Sequence, residues 1–454
     1  MLLEKNVKPL SAIILALMLS ACGGDSETNI YAQDVAQPGH EDEHDHDHDE
    51  HDDEDEHDHD DEHEEGISEA RLVLVEAGTE LAHVFDIEHV EKVSSLTLPA
   101  PIGYAYPVPG YRYAALVHRD DNWVSFIDGG VWVEDHGDHD HPYTEAPAIQ
   151  DFHLDGVKPT HYTFDDEQVA VFYDGNGETG DVAGVATFDA HSVADNGLAN
   201  TLSFTTHMHG AAQVRGEHLY TTERNADAAS TLPDRVSVYH LHDTEYELEA
   251  IFDEPCPALH GSAQNEEHVF FACGDGVLVI EEHDGFEVNK ITHGDVLSGD
   301  ARVGSLRAHH QVHDVIGLAS GQLVLIEPHE ATLQTLGWES DVGVVAAEFA
   351  ADGEFFVALL ADGSMVVFDV ADWSVHGELA ATDASGLTDD QSLRMIAGPT
   401  GHSVYIVNPA LSEVVPVDVE ELTLGEHWAL DFEPSVGVWL GHGGEAHEHE
   451  GHDH

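Results

Sequence analysis

Residues 40–65 read HEDEHDHDHDEHDDEDEHDHDDEHEE, eight histidines and eighteen acids with nothing else among them. The segment has no apolar side chain to bury, so it cannot build a core and is expected to be disordered. Its chemical offer is imidazole nitrogen interleaved with carboxylate oxygen, the donor mix that borderline divalent ions such as Zn2+ prefer. An acidic run that only keeps a protein soluble has no need of a histidine at every second or third position, and this one is assigned to metal capture. A flexible segment collects ions but cannot fix a coordination geometry, so a selective site has to come from elsewhere in the chain.

Three histidines recur in comparable places: His161 in KPTHYTF, His209 in HMHGAAQ and His260 in PALHGSA, each seven to nine residues ahead of an apolar run. Converging on one point, three imidazoles supply the all-imidazole face of a tetrahedral metal site. His118 in AALVHRD has a similar place one repeat earlier, and His309 and His310 extend the pattern one repeat later. His207 stands two residues before His209, which on a strand would put both on one face. A further cluster, EDHGDHDHPY, carries His136, His139 and His141 in what reads as a loop able to fold over a channel mouth and close on a metal. The alternative is that these rings bond only water and backbone. No nucleophile elbow, HExxH or phosphate loop is present, and nothing orients Ser203 or Ser262 beside a histidine. The chain is therefore not expected to be an enzyme.

The elements that must position these histidines are short strands. From residue 67 onward, runs of four to seven residues rich in Val, Ile, Leu, Phe and Tyr alternate with Asp-Gly, Asn and Pro punctuation, and no helical period persists. The class is all-β. One kind of run reads RLVLVEAG (70–77), NWVSFIDG (122–129), QVAVFYDG (168–175), HLYTTER (218–224), HVFFACGDG (268–276), DVIGLASG (314–321), FFVALLADG (355–363) and HSVYIVNP (402–409), each followed by a partner such as HVFDIEH or VWVED. A strand before and after each pair makes a four-stranded unit of roughly 45 residues, the size of a β-propeller blade. Eight units are counted, or seven if the pattern has split one. The first, at 69–99, lacks a leading strand, and PSVGVWL (434–440) is a leading strand with no blade after it. Joining the two closes the ring and leaves no open sheet edge. The histidine triplet then falls on the first strand of three consecutive blades, the strand that lines the central channel.

Charge and cysteine usage bound the rest. Ninety-one acids face fourteen Lys or Arg, a formal net charge of -77, which excludes nucleic acid as a partner and concentrates cations near the surface. Residues 1–21 form a signal peptide with an apolar stretch too short to span a bilayer, and Leu19-Ser20-Ala21-Cys22 resembles a bacterial lipobox. Cys22 is expected to carry the acyl anchor, the only contact with a membrane. Gly23 in place of Asp points to the outer membrane, with the protein facing the periplasm or the surface. Cys256 and Cys273, in an oxidising compartment and on strands read as neighbours, are expected to form a disulfide rather than to ligate metal. The domain plan is 1–21 signal, 22–66 anchor and tract, 67–441 propeller and 442–454 a second His-rich disordered tail.

HMHGAAQVRGEHLYTTER (207–224), CPALHGSAQNEEHVFFACGDGVLV (256–279) and VWVEDHGDHDHPY (131–143) resemble the AztD family of periplasmic zinc chaperones. The likeness runs through the whole propeller, and the His/Asp tract is typical as well. It implies a β-propeller that binds Zn2+ and passes it to the solute-binding protein of a zinc ABC transporter. It also implies that His207, His209, His260, His136, His139 and His141 are zinc ligands, while His161 rests on its place in the repeat. The lipobox departs from the family pattern. The function expected is a monomeric, lipid-anchored zinc metallochaperone. The alternatives are Cu or Ni storage or detoxification, or a lactonase or quinoprotein-like propeller enzyme. With only five Met in the chain, Cu+ is disfavoured.

Overall fold

The computed structural model describes residues 69–442, apart from 136–139, 166, 284 and 298–300. The signal, Cys22, the 40–65 tract, His136, His139 and the tail after residue 442 lie outside the described residues.

The described residues form a ring of eight four-stranded antiparallel blades. The innermost strands are, in ring order, Pro434–His442, Tyr104–Pro107, Pro159–Phe164, Ala212–Arg215, Gly261–Gln264, Ser305–Arg307, Val344–Ala350 and Arg394–Ala397. Blade 1 is composite: Pro434–His442 pairs with Glu69–Glu76, so the end of the chain supplies the strand that the beginning lacks. The packing confirms the count. Eight apolar clusters are present, each shared by two neighbouring blades. One joins Leu72 and Leu74 of blade 1 to Ile396 and Tyr405 of blade 8. Buried and exposed positions alternate on outer strands such as Glu91–Thr97. Strands in the middle of a blade, such as Tyr113–His118, are buried on both faces.

Neighbouring inner strands lie parallel. Thr163 Oγ1 donates to Ala212 O at 2.7 Å, Gln264 Nε2 to Val214 O at 2.8 Å and Arg215 Nη1 to Asn265 O at 2.9 Å. Every inner strand therefore begins at one face of the ring and ends at the other. The channel between them has a volume of about 1290 Å3 and is lined by residues such as Tyr106, Tyr162, Gln213 and Arg307.

Blade 2 departs from the expected phase. NWVSFIDG is its third strand, Trp123–Asp128, not its second, and VWVED belongs to an inserted hairpin, Val131–Asp135 with Asp140–Thr144. Two extra strands in this repeat moved the alignment by one position. The hairpin leaves from Asp128, which pairs with Tyr113 near the end of the inner strand at Pro107. Its base is fixed by Arg71, whose Nη1 donates to Gly129 O and to Glu145 O, and by the Arg112 guanidinium stacked 3.6 Å over the Trp132 ring.

Cys256 and Cys273 are joined. Cys273 ends the strand His268–Cys273, as expected, but Cys256 lies in the segment before Gly261–Gln264 and not on a strand. Its N–H is taken by Asp234 O, so it has no ladder to join.

Candidate metal centre

His161, His209 and His260 meet at the face where the inner strands begin. His161 is on the first strand of blade 3, just after a β-bulge between Pro159 and His161 that re-aims the side chain. His209 and His260 sit not on the inner strands but in the segments leading into them. His209 is held by its N–H to Thr231 O at 3.0 Å, between the buried Met208 side chain and Gly210. A side chain at Gly210 would overlap Thr222 and Phe172, so only glycine lets this segment lie down on blade 4. His260 follows the disulfide-pinned stretch, its N–H bonded to Ala272 O at 3.1 Å.

The ring orientations follow from hydrogen-bond chemistry. His260 Nδ1 is 2.8 Å from Gly304 O, and a carbonyl oxygen only accepts, so Nδ1 carries the hydrogen. His209 Nδ1 is 3.1 Å from Asp174 Oδ2, a carboxylate that also receives Arg119 Nη2 at 2.9 Å. In the neutral rings the Nε2 lone pairs of His209 and His260 then face each other at 3.2 Å, and His161 Nε2 stands 3.4 Å from His209 Nε2. Lone pairs turned together repel unless a cation lies between them. Nitrogens bound at about 2.0–2.1 Å to a tetrahedral zinc stand about 3.3 Å apart. Two of the three nitrogen–nitrogen distances thus already match a zinc-bound set, and the donor set fits the ion. The Asp174–His209 pair is the carboxylate–histidine arrangement that fixes a ligand's tautomer. Burial, with the neighbouring imidazoles His209 and His260, pushes His161 down to about 3, and burial also lowers His260. His161 therefore stays neutral, and able to ligate, well into the acid range.

The other candidates are placed elsewhere. His118 is not on an inner strand but on the second strand of blade 2. It is fully buried, with Nδ1 at 2.9 Å from Pro101 O and Nε2 at 2.8 Å from Ser125 Oγ, so both nitrogens are satisfied by the core. His207 does not share a strand face with His209, because 207–210 is irregular. Its ring packs over Gly177, where a methyl group would overlap it. His309 and His310 follow the inner strand of blade 6 and so lie at the opposite face, beside Asp352. His141 is exposed on the second strand of the inserted hairpin, which also leaves from that opposite face, so this element does not cover the triad. Asp174 and Arg119 were not anticipated. The Asp-Gly after QVAVFY reads as an ordinary turn, and only the adjoining blade shows what its carboxylate holds.

No known family model matches the chain. At the level of sequence it is 22% identical over 405 residues to the zinc chaperone AztD of Citrobacter koseri, covering 86% of this chain and 92% of that one. The chain is similar to AztD. The crystal structure of AztD from Citrobacter koseri superposes with a TM-score of 0.71 and its apo structure with 0.72, each at 19% identity and over 84% of this chain and 100% of that one. The dihydro-heme d1 dehydrogenase NirN has a TM-score of 0.53 at 13% identity, over 81% of this chain and 74% of that one, so the ring itself is shared more widely.

Two outcomes are expected. Asp174→Asn, which weakens the hold on His209, should lower the tightest zinc affinity by about 10–100-fold in a chelator-competition titration, with the fold unchanged by circular dichroism. Burial lowers the His118 pKa from its ordinary value of 6.5. The unfolded chain then takes up that proton first, so stability from the neutral ring is complete above about 6.5 and is lost as pH falls below it. In urea unfolding of chelator-treated protein, the advantage of wild type over His118→Gln should shrink from pH 7.5 to pH 5.0.

Proposed function

We propose that this protein is a zinc metallochaperone that captures Zn2+ and hands it to the solute-binding protein of a zinc ABC transporter. Zinc is its cargo. The observation that carries the reading is the spacing of 3.2 and 3.4 Å between imidazole nitrogens whose other ring atoms are held by Asp174 and Gly304. The similarity to the zinc chaperone AztD supports it. Three protein ligands leave the fourth tetrahedral position open, and the His209 side chain keeps 27% of its surface exposed, so an incoming ligand can reach the ion. Release then proceeds by exchange, one coordination bond at a time, as a partner's imidazole or carboxylate enters. A Cu2+ ion would bind such a face at least as tightly as zinc. The metal found in protein purified without chelator, rather than relative affinity, distinguishes zinc carriage from Cu or Ni storage.

The reading includes anchoring at the periplasmic side through Cys22. Cys22→Ser should move the protein from the membrane fraction to the soluble one, and an unchanged distribution would remove the anchor. For the transfer itself, zinc-loaded full-length protein is mixed with apo solute-binding protein in the presence of a chelator that traps free zinc. Wild type should deliver zinc faster than it loses zinc to the chelator alone. The His161/His209/His260→Ala variant should deliver it no faster than the chelator receives it. Equal delivery by the two proteins would sink the assignment of the triad.

A further inference from the structure

The opposite face carries a second group of ligating atoms, drawn from blades 5 and 6. Glu267 follows the inner strand Gly261–Gln264, and His268 opens the next strand, His268–Cys273. His313 lies in the loop after Ser305–Arg307, and His329 in the turn after Gln322–Glu327. A single carboxylate oxygen, Glu267 Oε2, stands 3.0 Å from His313 Nδ1 and 3.0 Å from His329 Nε2. Alone, this would be a surface carboxylate accepting from two exposed imidazoles.

His268 makes it more than that. The residue is 6% exposed, and its Nδ1 is buried with no hydrogen-bond partner. That orphaned nitrogen lies 3.9 Å from the same Glu267 Oε2, and the His268 ring centre is 5.6 Å from that of His329. An imidazole nitrogen deprived of both water and a partner destabilises the fold unless something else binds it. The cluster is also held in place from below. Asn265 Oδ1 accepts the N–H of Glu267 at 3.2 Å and of His268 at 2.8 Å, while its Nδ2 donates to Val312 O at 2.9 Å and His313 O at 3.0 Å. One side chain thus locks the two loops that carry three of the four residues. Two donors on one ion at about 2.1 Å stand roughly 3.0–3.4 Å apart, so the Glu267 contacts already match, while the His268 ring has to close in on Glu267 from 3.9 Å to join them.

We infer that Glu267, His268, His313 and His329 form a second site for a divalent cation of the zinc class, with three imidazoles and one carboxylate as ligands. It is separate from the triad, since the inner strands begin at one and end at the other. It needs neither Asp174 nor any residue of blades 3 and 4.

The test uses the full-length protein and zinc alone. Diethylpyrocarbonate modifies accessible imidazole, and peptide mass spectrometry reads each histidine separately across a zinc titration. Zinc should suppress labelling of His313 and His329 by at least ~5-fold in wild type and equally in His209→Ala. In Glu267→Gln and in His268→Leu, the zinc concentration that half-protects His313 and His329 should rise by about 10–100-fold, the size expected for losing one ligand-shell partner. Labelling of His313 and His329 that ignores zinc while His209 becomes protected would overturn this site and leave the triad intact. Protection that is unchanged in His268→Leu would also overturn it, by removing the buried ring from the ligand set. Protection of His313 and His329 without protection of His209 would uphold this site and remove the triad instead.

Discussion

Cross-blade hydrogen bonds such as Thr163 to Ala212 O and Gln264 to Val214 O hold neighbouring inner strands in parallel register around the ring. From this constraint the rest of the molecule follows. Residues that precede an inner strand gather at one rim, and residues that follow it gather at the other, whatever their distance in sequence. His161, His209 and His260 belong to three blades and meet because each stands at the same end of its inner strand. Such a ring is stable only when closed, which is why Pro434–His442 must return to Glu69–Glu76 and why an apolar cluster fills the seam between blades 8 and 1 as it fills the others.

Within that frame the candidate metal centre is an arrangement that an apo protein has reason to avoid. Two imidazole nitrogens facing each other at 3.2 Å gain nothing from one another. They are kept there by backbone anchors at Thr231 and Ala272, by the disulfide ahead of His260, and by carboxylate and carbonyl acceptors on the far sides of the rings. The work of ordering the ligands is done by folding, so an arriving cation relieves a repulsion rather than having to collect its ligands. The scarcity of cations in the chain sharpens the point. The chain has only fourteen Lys and Arg, and Arg side chains such as Arg71, Arg119, Arg215 and Arg307 bridge neighbouring blades. Arg119 among them braces Asp174 and through it His209.

Much of this was legible in the sequence, for identifiable reasons. The number of blades and the composite first blade could be read because each repeat carries a double-sided apolar run bounded by turn residues, a local signal. The triad could be found because the three histidines keep nearly constant offsets from those runs. Blade 2 misled the alignment, since an inserted hairpin looks like two more strands of the same kind, and His118 was drawn into the wrong position with it. His207 failed for another reason: period-two reasoning holds on a strand, and 207–210 is not one. Asp174, Arg119 and His268 carried no signal at all, because a turn aspartate, a loop arginine and a strand-initial histidine are ordinary until a neighbouring blade is set beside them.

By itself, then, the sequence determined the all-β class, the repeat and its closure, and pointed to metal-directed chemistry, because each is written in composition or in spacings of a few residues. Only the tertiary structure decided which histidines meet, which face they occupy and which are sealed in the core. It set the three triad rings at one rim and the hairpin, with His309 and His310, at the other. It also turned His118 inward onto Pro101 and Ser125. The physical reason is that coordination depends on distances of about 3 Å between side chains tens of residues apart. Those distances are set by blade-to-blade register, a property of the closed ring that no single repeat contains.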